Sequence, residues 1–155
     1  MPAGMLKLKP DTRATVRAID RLRAQFDDLS EPLDNAAHEL TRRIWYRFAF
    51  KRDPDGQRWK PWARSTRLAA KPGQKLMLST RALRDGTQFR ATKKGLWLKF
   101  GAAYGIHHEL GGRKTPRRSF AFSTRNNHRA LAPADEQYLL NAVRYQLRKA
   151  ALNRK

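Results

Sequence analysis

The sequence predicts an α+β protein with an N-terminal helical hairpin, a small antiparallel β-sheet carrying an extended basic loop, and a C-terminal helix. Three observations lead there. Apolar residues recur three or four apart over residues 16–48 and again after Pro133, they alternate strictly over residues 96–100, and turn-forming residues punctuate the chain at 53–56, 72–73, 93–95 and 111–112. A chain of 155 residues suits one domain, taken as 1–155, with residues 1–10 flexible and residues 111–127 forming an extended arm.

The elements follow in order. Asp11 can cap a first helix whose Val16, Ile19, Leu22, Phe26 and Leu29 make one stripe. Ser30 has the chemistry of a second cap, with Pro32 tolerated in the first turn, and Leu33, Ala37, Leu40, Ile44 and Phe48 carry the second helix to Phe50. Asp53-Pro54-Asp55-Gly56 must end that hairpin: proline fixes one dihedral, glycine permits positive φ and aspartates bond nearby backbone. Trp59 and Trp62 then flank Pro61 in an extended segment, and residues 64–71 read as a short helix closed by Pro72-Gly73.

Ser79 has the chemistry of a cap for a helical turn through Ala82 and Leu83. Residues 87–92 and 96–100 read as strands joined by Lys93-Lys94-Gly95, with Gly95 free to take the left-handed region. Leu96, Leu98 and Phe100 would face the core, and Trp97 and Lys99 the other way. Residues 119–123 read as a further strand. Pro133 opens the last helix, with Leu139 or Leu140, Val143 and Leu147 as its apolar stripe and Arg144, Arg148 and Lys149 outward.

Charge narrows the partners. The net charge is +21, and it is uneven: residues 1–40 sum to −1 and residues 41–155 to +22. So basic a surface should face nucleic acid, an acidic partner subunit, or both. Arginine outnumbers lysine, 22 to 12, which favours forked contacts with carboxylates and phosphates. With no cysteine, disulfides and thiol chemistry are excluded, and the chain is expected to fold in a reducing cytoplasm. No run approaches the roughly 20 apolar residues of a membrane span, so no membrane partner is expected.

Little in the sequence suggests catalysis. His107-His108-Glu109 joins imidazole to carboxylate, yet adjacent residues rarely converge on one ion, and zinc helices space their histidines at i and i+4. For a nuclease of the His-Asn-His kind built from His108, Asn126, Asn127 and His128, the last histidine follows the asparagines too closely to form the separate helix such a site needs. Asp53 and Asp55 lack the later ligands of an EF-hand. No cofactor, metal or catalytic residue is therefore assigned. Trp45, Trp59, Trp62 and Trp97 interleave with Arg43, Arg58, Lys60, Arg64 and Lys99, a composition that suits a core, a subunit interface or base stacking, in that order of weight.

Four short motifs in order resemble the phage virion morphogenesis or tail-completion family of Mu-like contractile-tailed bacteriophages. Asp53-Pro54-Asp55-Gly56 with Trp59, Pro61 and Thr66 is similar to that family's turn followed by tryptophan, proline and threonine. Residues 76–84 are similar to its leucine-rich segment ending threonine-glycine-x-leucine-arginine, with Arg81 in place of the glycine. Tyr104, His108, Gly111 and Gly112 match its tyrosine-alanine-x-x-histidine-glutamine-phenylalanine-glycine-glycine, where Glu109 and Leu110 depart. Residues 116–120 are similar to its proline-x-arginine-x-phenylalanine.

The resemblance implies a non-enzymatic structural protein that completes the tail or the head-tail junction. It would do so as a homo-oligomeric ring, a hexamer by analogy with tail symmetry, through which DNA passes. Its partners would be tail tube, terminator or neck proteins, with possible non-specific DNA contact, and its place the virion after assembly in host cytoplasm. The alternative is a basic nucleic-acid-binding protein acting free in the host cell. His108 reads as structural, its imidazole bonding backbone ahead of Gly111-Gly112. Arg113, Arg117, Arg118 and Arg125 in the arm would meet carboxylates of a neighbour, with Phe120 and Phe122 anchoring the arm's return.

Overall fold

The computed structural model describes residues 28–152 apart from 79, 94 and 126–129, together with residues 20 and 24. Of the expected first helix residues 20 and 24 are described, both helical; its Asp11 cap and stripe positions 16, 19, 22 and 26 lie outside the described residues, and Leu29 directly precedes the helix that starts at Ser30. The architecture is α+β: helix α1 (Ser30–Phe50), short helices α2 (Arg64–Ala69) and α3 (Ala82–Gly86), strands β1 (Gln88–Thr92) and β2 (Gly95–Lys99), short helix α4 (Gly105–Leu110), and helix α5 (Pro133–Leu152).

Helix α1 buries Leu33, Ala37, Leu40, Ile44 and Phe48, the stripe its periodicity predicts. Burial of each large apolar side chain contributes roughly 1.5–3 kcal/mol, against propensity differences below about 1 kcal/mol per residue, so packing holds this helix. Its start differs from the expectation that Ser30 caps it. Leu29 occupies the cap position without a side-chain bond, and the Ser30 N–H donates to Asp28 Oδ1 at 2.9 Å. The acceptor has moved to a carboxylate, which a helix N-terminus also favours.

The helix ends at Lys51, in the left-handed region at φ 56°, and the Asp-Pro-Asp-Gly turn follows. The Asp53 N–H donates to Gln57 O at 2.8 Å, the Gln57 N–H donates to Asp53 Oδ1 at 2.7 Å, and Gly56 takes φ 84°. This reversal lays Trp59 edge-on against Phe48, ring centroids 5.3 Å apart. Phe120 joins them at 5.1 Å from Phe48, and Leu83 and Phe89 complete the centre of the core.

β1 and β2 form one antiparallel pair with Arg90 opposite Trp97 and Thr92 opposite Gly95. Gly95 is thus a strand residue and not the left-handed residue of the turn: residues 93 and 94 alone connect the strands. α1 packs across the inner face of this hairpin, and the Phe89 N–H donates to Thr41 Oγ1 at 2.9 Å. Leu96 and Leu98 pack toward the core, while Trp97 is 69% exposed beside exposed Arg90 and Lys99, so the alternation reads correctly.

α5 lies against α1. Asp135, 1% exposed at its start, accepts from Arg43 Nη1 at 3.0 Å and from Arg47 Nη2, tying the two helices. Leu139, Val143 and Leu147 are partly buried, Leu140 is exposed, and Arg144, Arg148 and Lys149 face out. Ser79 lies outside the described residues; Arg81 occupies the cap position of α3 at φ 60°.

Candidate functional site

The first, third and fourth motif segments are joined by one hydrogen-bonded knot centred on Glu109. α4 carries Glu109 into the interior, where it is 1% exposed. Its Oε2 accepts the N–H groups of Phe120 at 2.9 Å and Ala121 at 3.1 Å; Oε1 accepts the Phe122 N–H at 2.8 Å and the Ser119 hydroxyl. Four donors compensate a charge that would otherwise be costly to bury. They also explain why residues 119–123 do not form the expected strand. Three consecutive N–H groups converge on one carboxylate, whereas a strand would point them alternately to opposite edges.

Further bonds fasten this return segment to the first motif. Trp59 Nε1 donates to Ser119 O at 2.7 Å, and Arg118 donates through Nε to Lys60 O at 2.8 Å and through Nη2 to Pro61 O at 3.0 Å. Asp55 accepts the Ser123 hydroxyl and the Thr124 N–H, the latter at 2.6 Å. Arg117 Nε donates to Glu109 O at 3.0 Å. Gly111, at φ 77°, lies against Arg117, whose backbone nitrogen would be 3.4 Å from an added Cβ.

Within the stretch 111–127, expected to be an arm ordered by a neighbour, these bonds supply partners from the chain itself. From Arg117 to Thr124 the segment is tied to its own chain, Phe120 is fully buried and Phe122 half-buried. Arg117 and Arg118 donate to backbone carbonyls of their own chain, Arg118 through Nε and Nη2. Arg113 and Arg125 stay exposed. The role given to His108 also changes. Its carbonyl accepts the Arg118 N–H at 2.8 Å, but its Nδ1 is buried with no hydrogen-bond partner among the described residues. Glu109, taken as a mild departure from the motif, does the holding.

In front of the knot lies a groove of about 330 Å³. Each motif contributes to it: Thr66 from the first, Leu76 and Met77 from the second, Tyr104 and His108 from the third, Arg118 from the fourth. Trp62 and the small residues Ala69 and Ala70 complete an apolar wall, and Lys75 adds a second cation. No carboxylate lines it among the described residues. Tyr104 meets His108 edge-on, centroids 5.9 Å apart. Burial first, then the nearby charges of Arg118 and His107, hold the imidazole below the usual histidine range. Burial alone lowers the Arg118 guanidinium.

Among the described residues no three histidine, aspartate or glutamate side chains are placed to share a metal ion, and the Ser119 hydroxyl on Glu109 is buried in the knot. Asp53 and Asp55 are engaged by the turn and by Ser123 and Thr124. Asn126, Asn127 and His128 lie outside the described residues. No helix of the described residues is long and apolar enough to cross a membrane.

Comparison with known proteins agrees with the motif order. The sequence model of the phage virion morphogenesis family matches residues 11–148. No curated protein and no solved structure gives a significant match.

Proposed function

The chain belongs to the phage virion morphogenesis family, and from that premise we propose that it is a non-enzymatic subunit that completes the tail or the head-tail junction. The observation that carries this reading is the convergence of all four motif segments on one basic, apolar groove without catalytic geometry. Segments that resemble a family and meet at a contact-shaped surface suit a protein whose work is to bind other subunits.

The proposal extends to a homo-oligomeric ring, with a hexamer as the size that tail symmetry suggests, through which DNA passes. Exposed aromatic residues support self-association: Trp45, Tyr46 and Phe50 stand on one side of α1 at 48%, 49% and 68% exposure, more apolar surface than a lone subunit needs to show. Head-to-tail contacts between identical subunits close into rings when the rotation per subunit permits. A particle reconstruction tests the assignment: density for this chain at the tail end or neck is the expected result, and density confined elsewhere removes it. Native mass spectrometry tests the ring, since a monomer alone at micromolar concentration contradicts it.

One observation favours the second reading, a nucleic-acid-binding protein acting free in the host cell. Trp97 stands exposed between Arg90 and Lys99 on the outer sheet face, a stacking platform beside cations. Salt separates the readings. A dedicated binder loses about 0.9 log units of affinity per phosphate contact per tenfold change in salt while keeping useful affinity near 0.15 M. Complete release of DNA at that salt, with the protein assembly intact, excludes it.

A further inference from the structure

We propose that the groove is a socket for an extended segment of a partner virion subunit in which a bulky apolar residue stands beside an aspartate or glutamate side chain. This rests on the reading of the protein as a virion subunit and specifies the chemistry of its contact.

The wall and the charge make the case. Trp62, Leu76, Met77 and Tyr104 supply apolar and aromatic surface, and the small Ala69 and Ala70 leave room beside them. Arg118 and Lys75 bring two positive charges with no carboxylate among the lining residues to answer them. Arg118 makes no ion pair with any described residue, although the interior acids Glu109 and Asp135 are both satisfied elsewhere. A cation held at a groove by two backbone carbonyls is fixed in position before any partner arrives, so a carboxylate that reaches it loses little orientation entropy.

His108 adds an independent sign. A buried ring nitrogen without a partner is uncommon and ordinarily costs free energy. A half-turn of the imidazole about its Cβ–Cγ bond exchanges Nδ1 with Cδ2 and Nε2 with Cε1, and forfeits no hydrogen bond because neither ring nitrogen makes one with a described residue. An incoming carboxylate then accepts from the imidazole N–H as well as from the guanidinium.

The test uses the full chain and three peptides with blocked ends, acetyl-Gly-Phe-Glu-Gly-amide and its Gln and Lys counterparts, so that the only carboxylate is the glutamate's. In nuclear magnetic resonance titrations, the Glu peptide is expected to shift the Trp62 indole, the His108 ring and the Arg118 Nε–H saturably, with the Gln peptide weaker by at least about tenfold and the Lys peptide inert. Equal shifts from all three peptides, or shifts away from the groove, overturn the proposal. Ala69→Glu places an acid on the exposed wall of a short helix with little risk to folding, and should abolish both peptide binding and incorporation into particles. If the Glu peptide does not bind but Ala69→Glu still blocks incorporation, the socket takes another chemistry, and this inference falls while the virion role stands. If the peptide binds and Ala69→Glu is incorporated normally, the groove is no partner contact, and the inference falls as well.

Discussion

Replacing Glu109 tests the central claim that one carboxylate organises the return segment. Glu109→Ala removes the acceptor for three backbone N–H groups and one hydroxyl in a buried site. A buried donor left unsatisfied costs about 1–3 kcal/mol, and bonds to a charged acceptor lie at the upper end. Relaxation and water entry prevent simple addition, so we expect a loss of about 4–6 kcal/mol, a large share of a typical domain's 5–15.

Glu109→Gln separates acceptor number from shape. The amide's least costly orientation sets its NH2 beside the Ser119 hydroxyl, which can turn to accept from it, and strands only the Phe122 N–H. The remaining two backbone bonds, to Phe120 and Ala121, weaken because their acceptor is neutral. The expected loss is about 2 kcal/mol, which at this chain length lowers Tm by roughly 4–8 °C. Chemical denaturation followed by tryptophan fluorescence reads both variants, since Trp59 is buried against Ser119. Equal losses for the two substitutions, or an alanine variant within 1 kcal/mol of the native protein, would refute the reasoning; so would a glutamine variant more costly than the alanine one.

Four further outcomes follow from the same structure. Arg81→Gly should stabilise by about 0.5 kcal/mol in urea denaturation: φ 60° strains a side chain by roughly 1 kcal/mol, part of which the freer unfolded glycine cancels, and a loss of stability contradicts the argument. Gly101→Ala should cost about 3 kcal/mol and lower the soluble yield, because its Cβ would sit 2.7 Å from both Leu83 O and Gly86 Cα, backbone atoms that cannot step aside cheaply. Asp135→Asn should cost about 2–3 kcal/mol in denaturation, less than a fully buried broken pair, since Arg43 is partly exposed and keeps Glu39. His108, with its folded pKa depressed, favours folding above the unfolded histidine value and loses that contribution as pH falls through it; stability measured from pH 7.5 to 5.5 should drop less in His108→Gln than in the native protein.

The sequence by itself determined the elements whose cause is local. The stripe from Leu33 to Phe48 places one face of α1 on the core whatever lies opposite, because a period near 3.6 is a property of the helix alone. The Asp-Pro-Asp-Gly reversal, the alternation around Trp97 and the start of α5 at Pro133 are equally short-range. Family membership was legible for a related reason: motif order survives in the linear chain even where each motif is weak.

Only the tertiary structure decided the long-range partners. Glu109 read only as part of the His-His-Glu cluster and a departure from the family motif, because its donors lie 10 to 13 positions away in a segment whose own pattern suggested a strand. Arg117 and Arg118 read as contacts for a neighbour's carboxylates because a Pro- and Gly-flanked stretch shows no local partner, whereas here backbone carbonyls at positions 60, 61, 109 and 123 of the same chain accept from them. Asp135 meets Arg43 and Arg47 across 92 and 88 positions. The groove has the same origin: four segments that no periodicity connects become one surface, three of them tied where Glu109, Trp59 and Arg118 satisfy buried polar groups and the second added by the packing of Leu76 and Met77, and those contacts exist only once the chain has folded.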